Sequence, residues 1–127
     1  MGPAVRWAAA GAFAAGIFVL SAVPDLKTPG PQVRGIDKAA HAAVYMLFTG
    51  VVWWALRGSN VARAALLAVV IAAAYGVTDE IHQGFVRGRT MSFFDWCADA
   101  AGAGLWWTAL KARRSGGATP PHPRRVP

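Results

Sequence analysis

Long, largely apolar runs are the feature of this sequence that most constrains its fold. Three runs, 7–23, 39–56 and 93–110, are about 17 or 18 residues long, close to the roughly 20 that a helix needs to cross a bilayer core. A fourth run, 64–78, reaches spanning length if residues 61–63 or 79–82 continue the same helix. Prolines and glycines mark the gaps between the runs. We therefore predict an all-α integral membrane four-helix bundle.

Composition supports a membrane protein with one domain. The chain has 127 residues, of which 55% are hydrophobic and 15% charged. We assign residues 1–112 to the four-helix domain and 113–127, which are basic and rich in proline, to a disordered cytoplasmic tail. A signal peptide is the alternative for the first run, but Leu20 stands where cleavage would want a small residue. The single cysteine excludes an internal disulfide.

The distribution of Lys and Arg predicts the orientation. With four spans, the N-terminus, the middle loop and the tail share one side, which carries eight of the 13 basic residues: Arg6, Arg57, Arg63, Lys111, Arg113, Arg114, Arg124 and Arg125. The other five are Lys27, Arg34, Lys38, Arg87 and Arg89. Because loops with more Lys and Arg stay in the cytoplasm, we expect both termini there. The net charge of +7 does not indicate nucleic-acid binding, because no basic face alternates with stacking aromatics.

Acids and histidines concentrate on the predicted outward side. All six acids belong to outward loops or adjoining helix ends: Asp25, Asp37, Asp79, Glu80, Asp95 and Asp99. In the second span Asp37, His41 and Tyr45 are four residues apart and share one helix face. Asp37 also fits an N-cap, and His41 a hydrogen bond to a neighbouring helix. A polar ring at this depth should face the bundle or a cavity.

Five polar side chains form two adjacent stripes at the end of the third span. They are Tyr75, Asp79 and His82 on one stripe, and Glu80 and Gln83 on the other. Acids at a helix C-terminus oppose the helix dipole, so we expect Arg87 and Arg89 to fold back toward Asp79 and Glu80. A purely structural salt-bridge cluster is the alternative.

The fourth span begins with Ser92 and Asp95 at the spacing of a capping box. Asp99 lies one turn deeper and needs a partner or a proton. Gly102 and Gly104 then allow close helix packing.

The starts of spans two and four bring two positive helix ends beside Lys38, Arg87 and Arg89, which is an arrangement suited to an anion. The neighbouring acids and histidine can act as acid and base, bind a metal, or hold the arginines in place. Because this set lacks a sharp metal-ligand motif, we predict no metal and no cofactor.

Three segments, DKAAH with Tyr45, YGVTDEIHQGFVRGR and SFFDWCADAAGAG, resemble the VanZ-like family of bacterial integral membrane proteins over about residues 20–107. The residues on the family's motif positions are Asp37, Lys38, His41, Glu80, Gln83, Arg89 and Asp95. Asp99 stands where the family commonly has asparagine, and Arg87 where it commonly has proline. The resemblance implies a bacterial cytoplasmic-membrane protein and a link to teicoplanin resistance, the phenotype of the founding member.

These observations support three hypotheses. The first is a protein that binds or modifies an anionic envelope molecule, such as a lipid-linked head group or a glycopeptide carboxylate. The second is an acid/base enzyme on a lipid, with Asp79 or Glu80 as base and His41 as acid. The third is a structural or interaction protein of the membrane, and an oligomer is compatible with each of them. The predicted ligand-binding residues are Asp37, Lys38, Tyr45, His82, Gln83, Arg87, Arg89, Asp95 and Asp99.

Overall fold

A computed structural model describes residues 1–24, 35–57 and 61–115. They form four α-helices: α1 (Pro3–Ser21), α2 (Ile36–Leu56), α3 (Val61–Gln83) and α4 (Phe93–Ser115). The predicted all-α, four-helix fold is thereby confirmed. α3 includes residues 61–63 and 79–82, although either extension alone would have given the third run spanning length. α4 continues through the first three residues of the predicted tail, and residues 116–127 lie outside the described part. So do Asp25, Lys27 and Arg34 of the first loop.

The helices run alternately up and down. Contacts between residues far apart in sequence show this at both ends: Arg6 at the start of α1 donates to backbone carbonyls near the end of α2, and Lys38 at the start of α2 meets Asp95 at the start of α4. α2 and α3 contact each other and both outer helices, whereas α1 and α4 do not touch within the described residues. Consequently the start of α2, the end of α3 and the start of α4 lie together.

Small residues allow the inner helices to approach closely. On α3, Ala64, Ala68, Ala72 and Gly76 follow at intervals of four, which places them on one buried stripe. On α4, a Cβ at Gly102 would overlap the carbonyl of Ala42 on α2. Close approach at these positions fixes how α4 sits against α2 and α3.

The outer surface is apolar. Leu66, Val70, Val77 and Ile81 of α3 are more than a third exposed, as are several large apolar residues of α1. Such a surface suits lipid rather than water. By length and composition α1, α2 and residues 63–83 of α3 can each cross a membrane, and the protein is an all-α membrane protein. α4 has the length but is less apolar, so its crossing remains a prediction.

Candidate functional site

Every carboxylate of the described residues lies where α2 and α4 begin and α3 ends. We call this region, formed by residues 35–45, 79–95 and Asp99, the polar end. The sequence predicted the convergence, because alternating helices bring these ends together. The pairing of side chains within it differs from the prediction in several places.

His41 and Asp99 form the most buried polar pair. His41 Nδ1 lies 2.9 Å from Asp99 Oδ1, and the Asp99 side chain has no exposed surface. The contact of Gly102 with Ala42 brings α4 close enough for this bond, one turn from the start of each helix. Asp99 engages Nδ1 and so leaves Nε2 as the ring nitrogen available to another group. The expected partner of Asp99 is therefore found on α2.

Lys38 is held between two carboxylates. Its ammonium lies 2.7 Å from Asp95 Oδ1 and 2.9 Å from Asp37 Oδ2. This bridge ties α2 to α4 and neutralises much of the Lys38 charge, which the sequence predicts to face an anion. The N-cap interpretation of Asp37 is wrong, because Gly35, with φ of 88°, occupies the N-cap and Asp37 is the second residue of the helix.

Glu80 completes the N-terminus of α4 from another helix. The backbone N–H of Ser92 donates to Glu80 Oε2 at 2.7 Å, and Ser92 Oγ accepts from the N–H of Asp95 at 3.2 Å. Only half of the predicted capping box forms, because Asp95 turns to Lys38 and Glu80 takes its place. No sequence motif predicts this role for Glu80, because the contact depends on the turn after α3.

Asp79 is held by an amide, not by an arginine. Gln83 Nε2 donates to Asp79 Oδ2 at 3.1 Å and lies 3.4 Å from Ser21 Oγ of α1. Within the described residues, no ion pair joins Arg87 or Arg89 to either Asp79 or Glu80, so the pairing predicted from the turn is not found. A buried carboxylate takes the nearest donors, and here these are an amide side chain and a backbone N–H.

Two predicted stripe residues point toward α1. The His82 ring stacks on Phe18, with centroids 4.0 Å apart, and the Tyr75 hydroxyl donates to the carbonyl of Ala14 at 2.7 Å. Both side chains serve packing between α1 and α3. His82 therefore packs against α1, and it does not line the cavity described below.

A cavity of about 520 Å³ opens at the polar end, within the size range of small-molecule sites. One wall is apolar and comes from α1 and α2: Ile17, Leu20, Ala40 and Val44. The other wall is polar and includes Asp37, His41, Tyr45, Asp79, Gln83, Arg89 and Asp95. Neither Arg87 nor Lys38 lines it, and Asp99 lies behind His41. Ser21 and Thr90 also line the cavity, and they were not predicted from the sequence. Each is only a small polar residue close to an apolar run, which is a weak signal.

Several buried polar atoms at this end have no hydrogen-bond partner among the described residues. They are Tyr45 Oη, Asp79 Oδ1, Glu80 Oε1, His82 Nδ1, Arg89 Nε and Asp99 Oδ2. Each such atom costs roughly 1–3 kcal/mol if nothing satisfies it. Unpaired groups of this kind concentrate where water, an ion or a ligand binds.

Comparison with known proteins supports the motif resemblance. A sequence model of the VanZ/LLP1 family matches residues 8–114, which include most of all four helices. The chain belongs to the VanZ/LLP1 family. Searches of curated proteins and of solved structures found no match. In this VanZ/LLP1 protein, the matched region contains the whole polar end and its cavity, and family membership agrees with the membrane character of the helices.

Proposed function

We propose that this protein binds an amphiphilic envelope molecule with an anionic head group at the polar-end cavity. One observation carries the proposal: the cavity joins an apolar wall to Arg89, whose Nε is buried without a partner in the described part of the chain. An acyl or prenyl chain suits the apolar wall, and a guanidinium suits a phosphate or carboxylate.

The other charged groups narrow the ligand class. Lys38 is neutralised by its two acids, so Arg89 is the only Lys or Arg of the described residues that faces the cavity. Asp79 Oδ1 and Tyr45 Oη also have no hydrogen-bond partner among the described residues and can accept hydrogen bonds from hydroxyl groups. A head group that combines one anionic group with hydroxyl donors, as a phosphorylated sugar does, complements this lining. A soluble glycopeptide carboxylate shares the anionic chemistry but lacks the lipid chain.

The proposed setting is the bacterial cytoplasmic membrane, with multiple spans, both termini in the cytoplasm and the polar end facing outward. The excess of Lys and Arg at the opposite end supports this orientation. A C-terminal reporter enzyme that is active only in the cytoplasm tests it. Activity of such a reporter is expected, and its absence would reverse the orientation.

The test of binding compares two neighbouring arginines in detergent-solubilised protein. Micelles doped with phosphatidylglycerol, which has an anionic phosphate and hydroxyls, should raise the Tm of the wild type more than phosphatidylcholine does. Arg89→Ala should remove this difference. Arg87→Ala is the matched control, because that side chain is exposed and lies outside the cavity. Equal protection of both variants would contradict the proposal.

Two further probes separate the sources of the anion. Glycerol phosphate should protect the protein weakly, since it lacks a chain for the apolar wall. Teicoplanin tests the glycopeptide alternative. If teicoplanin alone protects the protein in an Arg89-dependent way, the ligand is the antibiotic and not a lipid. A link to resistance requires that Arg89→Ala also lower the teicoplanin tolerance of cells that produce the protein.

An acid/base enzyme is the second candidate, and the His41–Asp99 pair favours it. A buried carboxylate on Nδ1 orients an imidazole so that Nε2 can move a proton, with Glu80 as the nearby second group. Mass spectrometry of envelope lipids incubated with wild type and with His41→Gln distinguishes the two functions. Conversion by wild type alone indicates catalysis, whereas retention without conversion indicates binding. If Glu80→Gln loses stability and phenotype together, the cluster is structural.

A further inference from the structure

Three side chains from three helices meet at the polar end in an arrangement suited to a metal ion. His41 of α2, Glu80 of α3 and Asp95 of α4 each place a ligand atom within 4.8 Å of the other two. Tetrahedral ligands at metal distances of about 2.0–2.2 Å lie roughly 3.4 Å apart, so small side-chain rotations close the site. Because these residues are far apart in sequence, they form no local metal-binding motif, and the site was not predicted from the sequence.

Glu80 supplies an independent indication of a missing partner. It is 3% exposed, and only one of its oxygens is used: Oε2 accepts from Ser92, while Oε1 is buried with no partner among the described residues. A buried, unshared carboxylate oxygen is costly in the absence of a cation or donor. A metal ion between Glu80, His41 and Asp95 satisfies this oxygen.

The surroundings of His41 match those of metal-binding histidines. Such histidines commonly give their second ring nitrogen to a carboxylate, which fixes the tautomer and the ring orientation. Asp99 has this position, 2.9 Å from Nδ1 and fully buried. Nε2 therefore remains as the ligand nitrogen, with Asp99 as the group that positions it.

Lys38 competes for the same site. Its ammonium bonds Asp95 Oδ1 and thus compensates one carboxylate when no metal is bound. The Lys38 side chain is 43% exposed, so it can move toward Asp37 and solvent without breaking a packed core. Asp95 Oδ2 remains for the metal even if Lys38 stays.

We propose that His41, Glu80 and Asp95 bind one divalent transition metal ion, with Zn²⁺ or Mn²⁺ as the chemical class that one imidazole and two carboxylates favour. Three protein ligands leave at least one coordination position for water or for an anionic oxygen. The metal site stands on its own geometry and does not require the proposed lipid. If both are present, the ion adds positive charge beside a cavity where Arg89 is otherwise alone.

The test uses full-length protein in detergent, stripped with EDTA and dialysed against Zn²⁺ or Mn²⁺. We expect about one equivalent of metal per chain by elemental analysis and a higher Tm with metal. His41→Gln and Glu80→Gln should each weaken binding about tenfold or more, as should Asp95→Asn, which is closer to the surface. His82→Gln is the matched control, since that ring stacks on Phe18 away from the site.

Two other variants give signals that misfolding would not imitate. Lys38→Gln should tighten metal binding because it removes a competitor, and Asp99→Asn should weaken it roughly 10–100-fold without removing a ligand. Arg89→Ala should leave metal binding unchanged, which separates this inference from the proposed function. Substoichiometric binding would mean an adventitious ion only. The same conclusion would follow if His41→Gln and Glu80→Gln left binding intact while His82→Gln removed it.

Discussion

The two ends of the bundle handle charge in opposite ways. At the end opposite the cavity, cations meet carbonyls and aromatic faces: Arg6 bonds the carbonyls of Trp54 and Arg57 at 3.2 and 2.6 Å, and the Lys111 ammonium lies 4.0 Å from the Trp107 ring centroid. No described carboxylate lies there. At the polar end, the carboxylates of Asp79, Glu80 and Asp99 are buried, and each has one oxygen with no partner among the described residues.

The contrast separates groups suited to a membrane interface from polar groups held inside the bundle. Tryptophans and arginines near a helix end are typical of a membrane interface. There, water and lipid head groups can bond polar groups that have no partner within the protein. Carboxylates held inside the bundle have no such supply and must be satisfied by the protein or by a bound group. We therefore expect the first end to be less sensitive to substitution than the second. Four substitutions test this difference.

The largest effect is expected at Gly102, where a Cβ would overlap the Ala42 carbonyl. Gly102→Ala should force α2 and α4 apart and lower the free energy of unfolding by about 3 kcal/mol, the upper range for overpacking. Gly104→Ala is the matched control, because nothing lies within 4 Å of its added Cβ. That change should be neutral or stabilising by up to about 1 kcal/mol. Unfolding in detergent measures both, and equal effects would mean that close packing does not define the polar end.

Asp99→Ala should have the next largest effect. It removes the fully buried partner of His41 Nδ1 and should cost about 2 kcal/mol of unfolding free energy. Asp99→Asn keeps an oxygen at the same place and should cost less. If the alanine variant is as stable as wild type, the pair is not a structural requirement and its burial serves function alone.

At the opposite end, Arg6→Gln should have an intermediate effect. The charged donor to the last carbonyls of α2 is lost, and charge-assisted hydrogen bonds of this kind contribute about 1.5 kcal/mol when partly buried. Arg6→Lys should recover part of the loss. A cost for Arg6→Gln larger than that of Asp99→Ala would overturn the ranking of the two ends.

The smallest effect is expected for Lys111→Gln. This side chain is exposed, and its contact with Trp107 is a cation–π interaction in reach of water. Thermal unfolding should not distinguish this variant from wild type. A clear destabilisation would show that the basic end is as finely packed as the polar end.

The fold was readable from the sequence because hydropathy, proline and glycine act locally. The sequence left the length of the third span open. In the structure α3 extends from Val61 to Gln83, which adds turns at both ends of the apolar run. Alternation of the helices then brought the acidic ends together. What hydropathy could not settle is whether α4 crosses the membrane, since Asp95 and Asp99 reduce its apolar character.

The pairings within the site were less readable because they depend on helix rotation and on the turn between α3 and α4. His41 was expected to face the bundle, but its partner could have been any nearby acid until Gly102 fixed the crossing. The arginines were expected to hold Glu80, yet the amide of Ser92 lies closer. Lys38 was expected to help bind an anion, but its ammonium is bonded to Asp37 and Asp95. Residue types predicted where polar and charged side chains cluster. Which of these groups pair depends on differences in distance of a few ångströms.

α1 stands apart from the other helices in one respect. It has no contact with α4 in the described residues, and it contributes Ile17, Leu20 and Ser21 to the cavity but no titratable group. Its inner face can therefore change size or shape while the acids, histidine and arginine keep their positions. Under the proposed function, substitutions along this face of α1 are expected to change which molecule is bound while the polar groups of the site keep their positions.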